Sequence, residues 1–291
     1  MLLAVDMGNT QTALGLFDQD TLIQSWRMPT DRSFTKDELH LRLLGYFQLH
    51  KLSLDIVTGI AFAGVVPDLL RSWTLVAQEL SLPIIQIGPD TALVTNVVAP
   101  NPAEVGADRI ANATAAATLY GSPCIVVDFG TATNVDVINH TGAYIGGVIA
   151  PGIRVGLDAL IARAARLASV PLEAPQHTIG TSTLEAVQSG TVIGAAAMAE
   201  GLIRRIQGEL QTQTATSIST NAAAPTTTPA PTATSSTAHN KPATVIATGG
   251  LASVVATCTD VFDVVDQQLT LRGVHEIWKR MQAIRTAHSP Q

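Results

Sequence analysis

The sequence predicts an α/β protein with two similar lobes, each a mixed sheet flanked by helices, around a central cleft. One observation is a turn that occurs twice: an apolar strand runs into Asp-x-Gly and small polar residues at 2–10 and again at 124–133. A second is that a meander of strands accompanies each turn, and paired units of this kind suggest gene duplication. A third is the strand–helix alternation after the first meander, which is typical of a mixed α/β sheet.

The composition indicates a globular chain with a large aliphatic core. Its 291 residues can hold two domains. Hydrophobic residues make up 46% and charged residues 14%, while aromatic residues are only 4%, so the core must be rich in Ala and aliphatic side chains. The net charge of −6 argues against nucleic acid as the main ligand, because binding to a phosphate backbone needs a concentrated basic surface. Small anions remain possible ligands.

The sequence predicts neither a membrane-spanning segment nor a secretory signal. The first residues lack a basic region and Asp6 interrupts the early apolar run, which is not typical of a signal peptide. No apolar stretch approaches the roughly 18–20 residues needed to span a bilayer. Cys124 and Cys258 both lie in apolar segments, which indicates reduced core thiols. We therefore expect a soluble cytoplasmic protein with no membrane partner.

The first lobe is predicted over 1–118. Thr35 and Glu38 match a capping box that opens a helix, and Leu39, Leu43 and Phe47 recur at helical spacing. The strands are predicted over 2–6, 11–17, 21–28, 56–64 and 83–87, and the helices over 35–49, 67–80 and 110–119.

The second lobe is predicted over 119–210 and 244–291. Ser182 or Thr183 can cap a long helix, with Glu185 three positions after Ser182. The strands are predicted over 123–128, 132–138, 143–149 and 245–248. Helices are predicted over 153–167, 184–207 and 270–286, and a further helix is predicted to begin at 251.

Residues 211–243 differ in composition from the rest of the chain. They are almost entirely Thr, Ala, Ser and Pro, with almost no charge. Such a tract cannot bury enough apolar surface to offset its ordering entropy. We predict a disordered Thr/Ala/Pro/Ser-rich surface insertion.

Asp6 and Asp128 are strand-end carboxylates beside glycine turns. Each alone could simply cap its own turn through the backbone. As a pair in equivalent places they suit a cation that in turn holds a polyphosphate. The two turns also offer hydroxyl and unobstructed N–H groups, at Thr10, Thr131, Thr133, Gly8 and Gly130.

Two familiar phosphate-site patterns are excluded. No GxxxxGK[ST] loop occurs, so the chain has no Walker-type site. Asp128-Phe129-Gly130 matches one protein-kinase signature, but the chain lacks an HRD-type loop and a VAIK-type strand. The double glycine 249–250 after a strand is consistent either with close approach to a flat ligand or with a plain strand–helix turn.

Asp108 and Arg109 open a predicted helix. The N-terminal end of a helix carries partial positive charge, which favours an acid there. This explains Asp108 but not Arg109, whose charge is unfavourable at that end. The planar fork of Arg109 could bind a carboxylate, and Asp108 could accept a proton from a hydroxyl. Together they would hold and activate an acid that also carries an alcohol.

Five motifs occur in order along the chain, and together they are specific where each alone is weak. They are Asp6-Met7-Gly8-Asn9-Thr10, Gly106-Ala107-Asp108-Arg109, Asp128-Phe129-Gly130-Thr131-Ala132, Gly146-Gly147-Val148-Ile149-Ala150-Pro151-Gly152 and Thr248-Gly249-Gly250. In these motifs the sequence resembles the type III pantothenate kinases, relatives of the acetate and sugar kinases with a duplicated actin-like (ribonuclease H-like) fold. The resemblance covers about 1–210 and 244–285.

The resemblance implies ATP-dependent phosphorylation of pantothenate to 4'-phosphopantothenate, the first step of coenzyme A synthesis. It implies a homodimer that needs a monovalent cation, K⁺ or NH₄⁺, besides Mg²⁺ with ATP. It implies Asp108 as general base, Arg109 as the ligand of the pantothenate carboxylate, and Asp128 as the ligand of the monovalent cation. Thr131 would contact ATP, and Thr183 and the segment Gly106–Arg109, including Ala107, would contact pantothenate. The phosphate site would be lined by Asp6, Met7, Gly8, Asn9, Thr10, Gln11, Thr12 and Ala13.

The chain departs from the family pattern at two places near the expected pantothenate pocket. Many relatives carry Tyr where this chain has Ala99, and many read Ile-Gly-Lys-Asn-Thr where it has 179–183. Two alternative functions stay open on these residues. One is a non-catalytic binding protein like the Bvg accessory factors, and the other is a carboxylate or sugar kinase of the same architecture.

Overall fold

The computed structural model describes residues 1–64, 66–88, 91, 97–98, 101–164, 169–221 and 242–287, with the backbone alone over 213–221. These residues form two compact units. The first comprises Met1–Tyr120, Ala143–Gly146 and Asp266–Gln291. The second comprises Gly121–Gly142 and Gly147–Val265.

The first sheet has five strands in the order β3-β2-β1-β4-β5. The pairs β1–β2 and β2–β3 are antiparallel, as the short turns between them require, while β1–β4 and β4–β5 are parallel and are joined through helices. The elements are β1 (Leu2–Met7), β2 (Gln11–Asp18), β3 (Thr21–Pro29), α1 (Lys36–Leu49), β4 (Gly59–Gly64), α2 (Pro67–Glu79), β5 (Ile84–Ile87) and α3 (Ala107–Leu119).

The second sheet repeats this arrangement in the order β10-β9-β6-β7-β8. The strands β6, β7, β8, β9 and β10 take the places of β1 to β5, with the same antiparallel and parallel neighbours where the register is defined. The elements are β6 (Cys124–Phe129), β7 (Ala132–Ile138), β8 (Tyr144–Pro151), α4 (Ile153–Arg163), α5 (Thr183–Gln188), α6 (Gly194–Asn221), β9 (Thr244–Thr248), α7 (Ala252–Ala256), β10 (Val264–Val265) and α8 (Leu269–Ala287). The predicted duplication of a mixed sheet is thereby confirmed.

Strand β1 is buried on both faces, which explains its unbroken apolar run. Leu3, Val5 and Met7 pack in a cluster with residues of α1 and α2, such as Leu43 and Trp73. The alternate residues Leu2 and Ala4 join a second cluster on the opposite face, with Ile110 and Ala111 of α3 and Val274 of α8. The predicted capping box of α1 is present, since Thr35 and Glu38 bond reciprocally.

The C-terminal helix α8 belongs to the first unit, which corrects its predicted place in the second lobe. Its Leu271, Val274 and Ile277 are buried in the cluster with Ala111 of α3. Gly273 permits the close contact of the two helices, because a Cβ there would lie 1.9 Å from the Ala111 carbonyl oxygen. The apolar face of the helix was evident in the sequence, but the sheet on which it packs was not.

Several boundaries differ from the predicted ones. Strand β4 begins at Gly59, because Leu54–Ile56 forms a 3₁₀ turn capped by Ser53. Helix α3 begins at Ala107 and so includes the predicted opening residues Asp108 and Arg109, and α4 ends at Arg163. The predicted helix over 184–207 is α5 and α6 joined by one π-helical turn, Ser189–Ile193.

Helix α6 continues to Asn221, so the predicted start of disorder at 211 is corrected. Residues 211–221 contain no Pro or Gly, and adding a residue to an existing helix requires no new nucleus. Residues 222–241 lie outside the described part of the chain. The prediction for 222–241 therefore rests on composition, whereas Ala243 is buried in the apolar cluster of the second unit, which corrects the predicted end at 243.

The helical run Thr183–Thr212 is long and apolar enough to cross a membrane by length and composition, whereas we predicted no such stretch. Within it, Ala195, Ala196, Ala199 and Ile203 are buried in the apolar cluster of the second unit. A one-sided apolar face that packs on protein is typical of a core helix.

Exchange of 222–241 for a Gly/Ser linker of equal length is expected to leave stability and activity unchanged. The reason is compositional, because the native tract offers few side chains able to bury apolar surface. The melting temperature should change by less than about 2 °C, and the activity of the protein should stay the same. Insoluble protein, or a clearly lower melting temperature, would mean that the tract packs on the fold.

The stability of the first unit is expected to depend on pH through His275. This side chain is buried and stacks on Phe17, with ring centres 4.5 Å apart. Burial lowers the pKa of His275 below its ordinary value of 6.5, against the opposing effects of a hydrogen bond to Gln19 and the charge of Glu276. The unfolded chain therefore binds a proton that the folded chain does not, so stability is complete above about pH 6.5 and falls below it.

The measurement compares urea unfolding of the wild-type protein and His275→Gln at about pH 7.5 and about pH 5.5. The variant should be less stable at the higher pH, by about 0.5–1.5 kcal/mol for the lost ring stack. The difference should narrow at the lower pH, because the variant has no imidazole to protonate. A difference that stays constant with pH would contradict the assignment to His275.

Candidate active site

The first predicted turn joins β1 to β2 and is closed by a hydrogen bond from the Gly8 N–H to the Gln11 carbonyl oxygen, 3.1 Å. Asp6 is half-buried and pairs in register with Ala13 and Ala63 of the neighbouring strands. Met7 and Thr12 are buried, so their side chains build the turn. The turn residues with exposed side chains are Asn9, Thr10 and Gln11.

Thr30, at the end of β3, holds this turn in place. Its hydroxyl donates to the Gly8 carbonyl oxygen, 2.8 Å, and lies 2.9 Å from the Thr12 hydroxyl. Its N–H donates to the Thr10 carbonyl oxygen, 2.9 Å. Nothing in the sequence near Thr30 indicates this function, since the contact depends on the pairing of β2 with β3.

The second predicted turn joins β6 to β7 and is one residue shorter. It spans Gly130–Ala132, where the first spans Gly8–Gln11, and the Gly130 N–H donates to the Ala132 carbonyl oxygen, 3.0 Å. Asp128 occupies the position equivalent to Asp6, one residue before the strand ends. Thr131 is exposed, so its side chain is accessible to a ligand. Thr133 was predicted to offer a hydroxyl as well, but it is buried and its hydroxyl is not accessible to solvent.

Two glycines allow the backbone to close around the second turn. A Cβ at Gly249 would lie 2.4 Å from Asp128 Oδ1, and Gly249 has a φ of 92°, which favours glycine. A Cβ at Gly152 would lie 2.0 Å from the Thr131 carbonyl oxygen. The missing Cβ of Gly249 leaves room for the carboxylate of Asp128. The Asp128 carboxylate is therefore packed closely against the backbone of Gly249.

The segment Gly106–Arg109 forms the first turn of α3, with Gly106 as its N-cap. Asp108 is half-buried, and its Oδ1 accepts a hydrogen bond from the Arg109 N–H, 2.9 Å. A Cβ at Gly106 would lie 2.4 Å from that same oxygen. Gly106 therefore provides the space for the Asp108 carboxylate at the start of the helix.

Arg109 is half-buried, and its guanidinium carbon lies 5.6 Å from the centre of the Tyr144 ring. The neighbouring Ala107 is buried in the apolar cluster that also contains Ala63, so its side chain packs in the core. Tyr144 was not predicted as a site residue, because it lies in the other half of the sequence. Ala99 lies outside the described residues.

Thr183 is exposed and is the first residue of α5 in the second unit. Of the two predicted caps, Ser182 is the one present, and its hydroxyl accepts from the Glu185 N–H, 3.2 Å. Glu185 in turn accepts from the Thr181 hydroxyl and N–H, both at 2.7 Å, and these bonds lower the pKa of Glu185. The sequence 181–185 therefore forms a well-ordered helix start at this point.

Within the described residues, one group has the composition of a metal site outside the predicted residues: Asp20, His275 and Glu276, with ligand atoms within 4.8 Å of one another. The Lys279 ammonium is hydrogen-bonded to Asp20 and lies 3.4 Å from Glu276. The bond from Lys279 lowers the pKa of Asp20. Lys279 therefore pairs with both carboxylates, and we assign the group to an ion-pair network.

Two sheets of identical strand order, each with a carboxylate one residue before the end of its first strand, give this chain a duplicated actin-like fold. A Baf-family transcriptional activator from Campylobacter jejuni is similar in structure, with a TM-score of 0.54, 18% identity, and coverage of 97% of this chain and 99% of that one. The activator of the 2-hydroxyisocaproyl-CoA dehydratase from Clostridium difficile, solved with bound ADPNP, has a TM-score of 0.53 at 10% identity and covers 100% and 99%. At these identities the likeness concerns the fold alone.

The family model described as type III pantothenate kinase matches residues 2–205. The type III pantothenate kinase of Frankia alni is 42% identical over 282 residues, which is 96% of this chain and 99% of that protein. That of Thermomicrobium roseum is 44% identical over 284 residues, covering 97% and 98%. The chain belongs to the type III pantothenate kinase family, which confirms the predicted resemblance.

Proposed function

We propose that this protein transfers the γ-phosphoryl group of ATP to pantothenate, forming 4'-phosphopantothenate in the first step of coenzyme A synthesis. The observation that carries the proposal is the Asp108–Arg109 pair, half-buried in the first turn of α3. Family membership supports the same reaction, since relatives of nearly equal length are named for it.

The pair suits a substrate with an acid at one end and an alcohol at the other. Adjacent side chains on a helix point about 100° apart, so Asp108 and Arg109 can address different ends of one molecule. Arg109 binds the carboxylate of pantothenate through its planar fork, and Asp108 receives the proton of the primary hydroxyl. Gly106, Thr183 and the backbone of Ala107, whose side chain is buried, complete the proposed substrate contacts.

The turn at Asp6–Ala13 is proposed to bind the phosphates of ATP, with Thr131 as a further contact. The exposed Asn9, Thr10 and Gln11 provide polar side chains and backbone groups of the kind that bind phosphate. Asp6 offers a hard oxygen ligand, which is the type that Mg²⁺ prefers. It would hold the ion that accompanies ATP.

Asp128 is proposed to bind a monovalent cation, K⁺ or NH₄⁺. The residues fit such an ion, because a half-buried carboxylate lies among backbone groups in a space that a Cβ on Gly249 would fill. When bound, a cation there would supply positive charge that offsets the charge of the phosphates.

The proposed reaction is an in-line displacement. The Asp108 carboxylate accepts the proton of the hydroxyl as its oxygen attacks the γ-phosphorus, a new O–P bond forms, and the bond to the oxygen of the departing ADP breaks. Phosphoryl transfer needs little covalent chemistry from the protein, so the rate depends on positioning and on charge stabilisation.

A cytoplasmic homodimer is proposed as the working form. Five large apolar side chains are exposed on successive elements of the second unit, at Ile149, Val155, Leu160, Ile179 and Leu184. Where exposed apolar side chains adjoin one another on a surface, they commonly mark a protein interface. Light scattering after gel filtration would measure the mass of the assembly, and a monomer at micromolar concentration would contradict the proposed homodimer.

The proposed reaction is tested by an acceptor panel with ATP and Mg²⁺, with and without K⁺ or NH₄⁺. Pantothenate, acetate and several sugars are compared, and the phosphorylated product is identified by mass spectrometry. We expect 4'-phosphopantothenate, and only when a monovalent cation is present. Product from another acceptor alone would support the related-kinase alternative, and no product from any acceptor would support the non-catalytic binding protein.

A further inference from the structure

Tyr144 is packed against Arg109 in the first unit. The Arg109 guanidinium carbon is 5.6 Å from the ring centre, within the roughly 6 Å over which an aromatic face attracts a cation. Tyr144 is only 2% exposed, and buried side chains in closely packed surroundings change rotamer only with repacking. The ring is therefore a fixed surface beside the long Arg109 side chain.

The backbone of Tyr144 is also anchored, on a segment that precedes α3. The Val98 N–H donates to the Tyr144 carbonyl oxygen, 2.8 Å, and Val97 forms a parallel β-bridge with Tyr144. Ala143–Gly146 belongs to the first unit, although the rest of β8 belongs to the second. Both main chain and side chain thus hold Tyr144 in the unit that carries Arg109.

The position of Arg109 explains why such support matters. The N-terminal turn of a helix carries partial positive charge, which opposes a cation placed there. The electron-rich face of an aromatic ring attracts a guanidinium and partly offsets that opposition. A flat ring also suits the planar guanidinium, which can stack on it while its N–H donors stay directed at a ligand.

We propose that Tyr144 is a positioning residue for Arg109, and that its ring sets how strongly the enzyme prefers acceptors that carry a carboxylate. The proposal rests on the proposed role of Arg109 in pantothenate binding. Tyr144 acts through Arg109 and touches no reacting atom, so it should govern KM for the carboxylate-bearing substrate and leave kcat nearly unchanged.

The test compares Tyr144→Leu and Tyr144→Phe in the full-length protein. The two acceptors are pantothenate and pantothenol, its analogue with a hydroxymethyl group in place of the carboxylate. Tyr144→Leu should raise KM for pantothenate by about 3- to 30-fold, the range of one cation–π contact. KM for pantothenol and for ATP should not change, and Tyr144→Phe, which keeps the ring, should restore most of the pantothenate affinity.

A fluorinated series separates the electronic effect from packing. Phe at 144 is replaced by phenylalanines with increasing numbers of ring fluorines, which weaken the attraction to a cation while nearly preserving shape. KM for pantothenate should rise stepwise with fluorination. If Tyr144→Leu is insoluble, this series alone decides the question, and a KM that does not follow fluorination would overturn the proposal.

The variant Arg109→Met distinguishes failure of this proposal from failure of the proposed function. In the Arg109→Met background, Tyr144→Leu should not raise KM further, because the two residues act as one unit. If Arg109→Met raises KM for pantothenate but Tyr144→Leu does not, Tyr144 has no positioning role. If Arg109→Met itself leaves KM unchanged, the proposed role of Arg109 is wrong.

Discussion

Asp108→Asn is expected to lower kcat for pantothenate phosphorylation by about 10²–10⁴-fold, the usual contribution of a general base. The amide cannot accept the hydroxyl proton, so the attacking oxygen must lose it to water. KM for pantothenate should change little, because the carboxylate is proposed to bind Arg109. Steady-state rates with both substrates varied would separate the two constants.

The substitution is well suited to this position because it preserves the local structure. Asp108 Oδ1 accepts the Arg109 N–H at 2.9 Å, and the amide oxygen of Asn can accept the same bond. The space provided by Gly106 also accommodates either side chain, since they are nearly the same size. The melting temperature should therefore match the wild-type value, and near-normal turnover by a folded variant would remove Asp108 from the proposed role.

Arg109→Met is expected to raise KM for pantothenate by about 10- to 100-fold, which corresponds to one hydrogen-bonded contact between charged groups. Methionine keeps part of the apolar stem that packs beside Tyr144 but removes the guanidinium. The effect on kcat should be much smaller than that of Asp108→Asn, since the carboxylate proposed to bind Arg109 is at the opposite end of pantothenate from the reacting hydroxyl.

Two matched controls sharpen this prediction. Arg109→Lys keeps the charge but loses the planar fork, so it should give an intermediate KM. Pantothenol lacks the carboxylate, so its KM should be nearly the same for the wild type and for Arg109→Met. An equal rise of KM for both acceptors would indicate general damage to the pocket instead of a lost carboxylate contact.

Local patterns were sufficient to predict most of the elements. The strands of both meanders, the Thr35–Glu38 capping box and the Ser182 cap depend on residues only a few positions apart, and all are present. The equivalence of Asp6 and Asp128 was likewise visible in their shared apolar-Asp-x-Gly pattern. Identical strand order in the two sheets agrees with it.

Contacts between distant segments were not predictable in this way. Thr30 closes the Asp6 turn only because β3 pairs with β2. Gly249 borders Asp128 only because β9 lies beside β6. Neither Thr30 nor Gly249 stands out from the residues next to it in the sequence. The partner that gives each of them a function lies on another strand.

By itself the sequence determined the α/β class, the duplication, the two carboxylate turns and the Asp108–Arg109 pair, because each depends on residue order within a short stretch. Only the tertiary structure decided that α8 packs with α3 in the first unit, and that Tyr144 lies beside Arg109. The physical reason is that an apolar face or a buried ring does not specify its partner in advance. Packing chooses among many similar surfaces, and that choice depends on the whole chain.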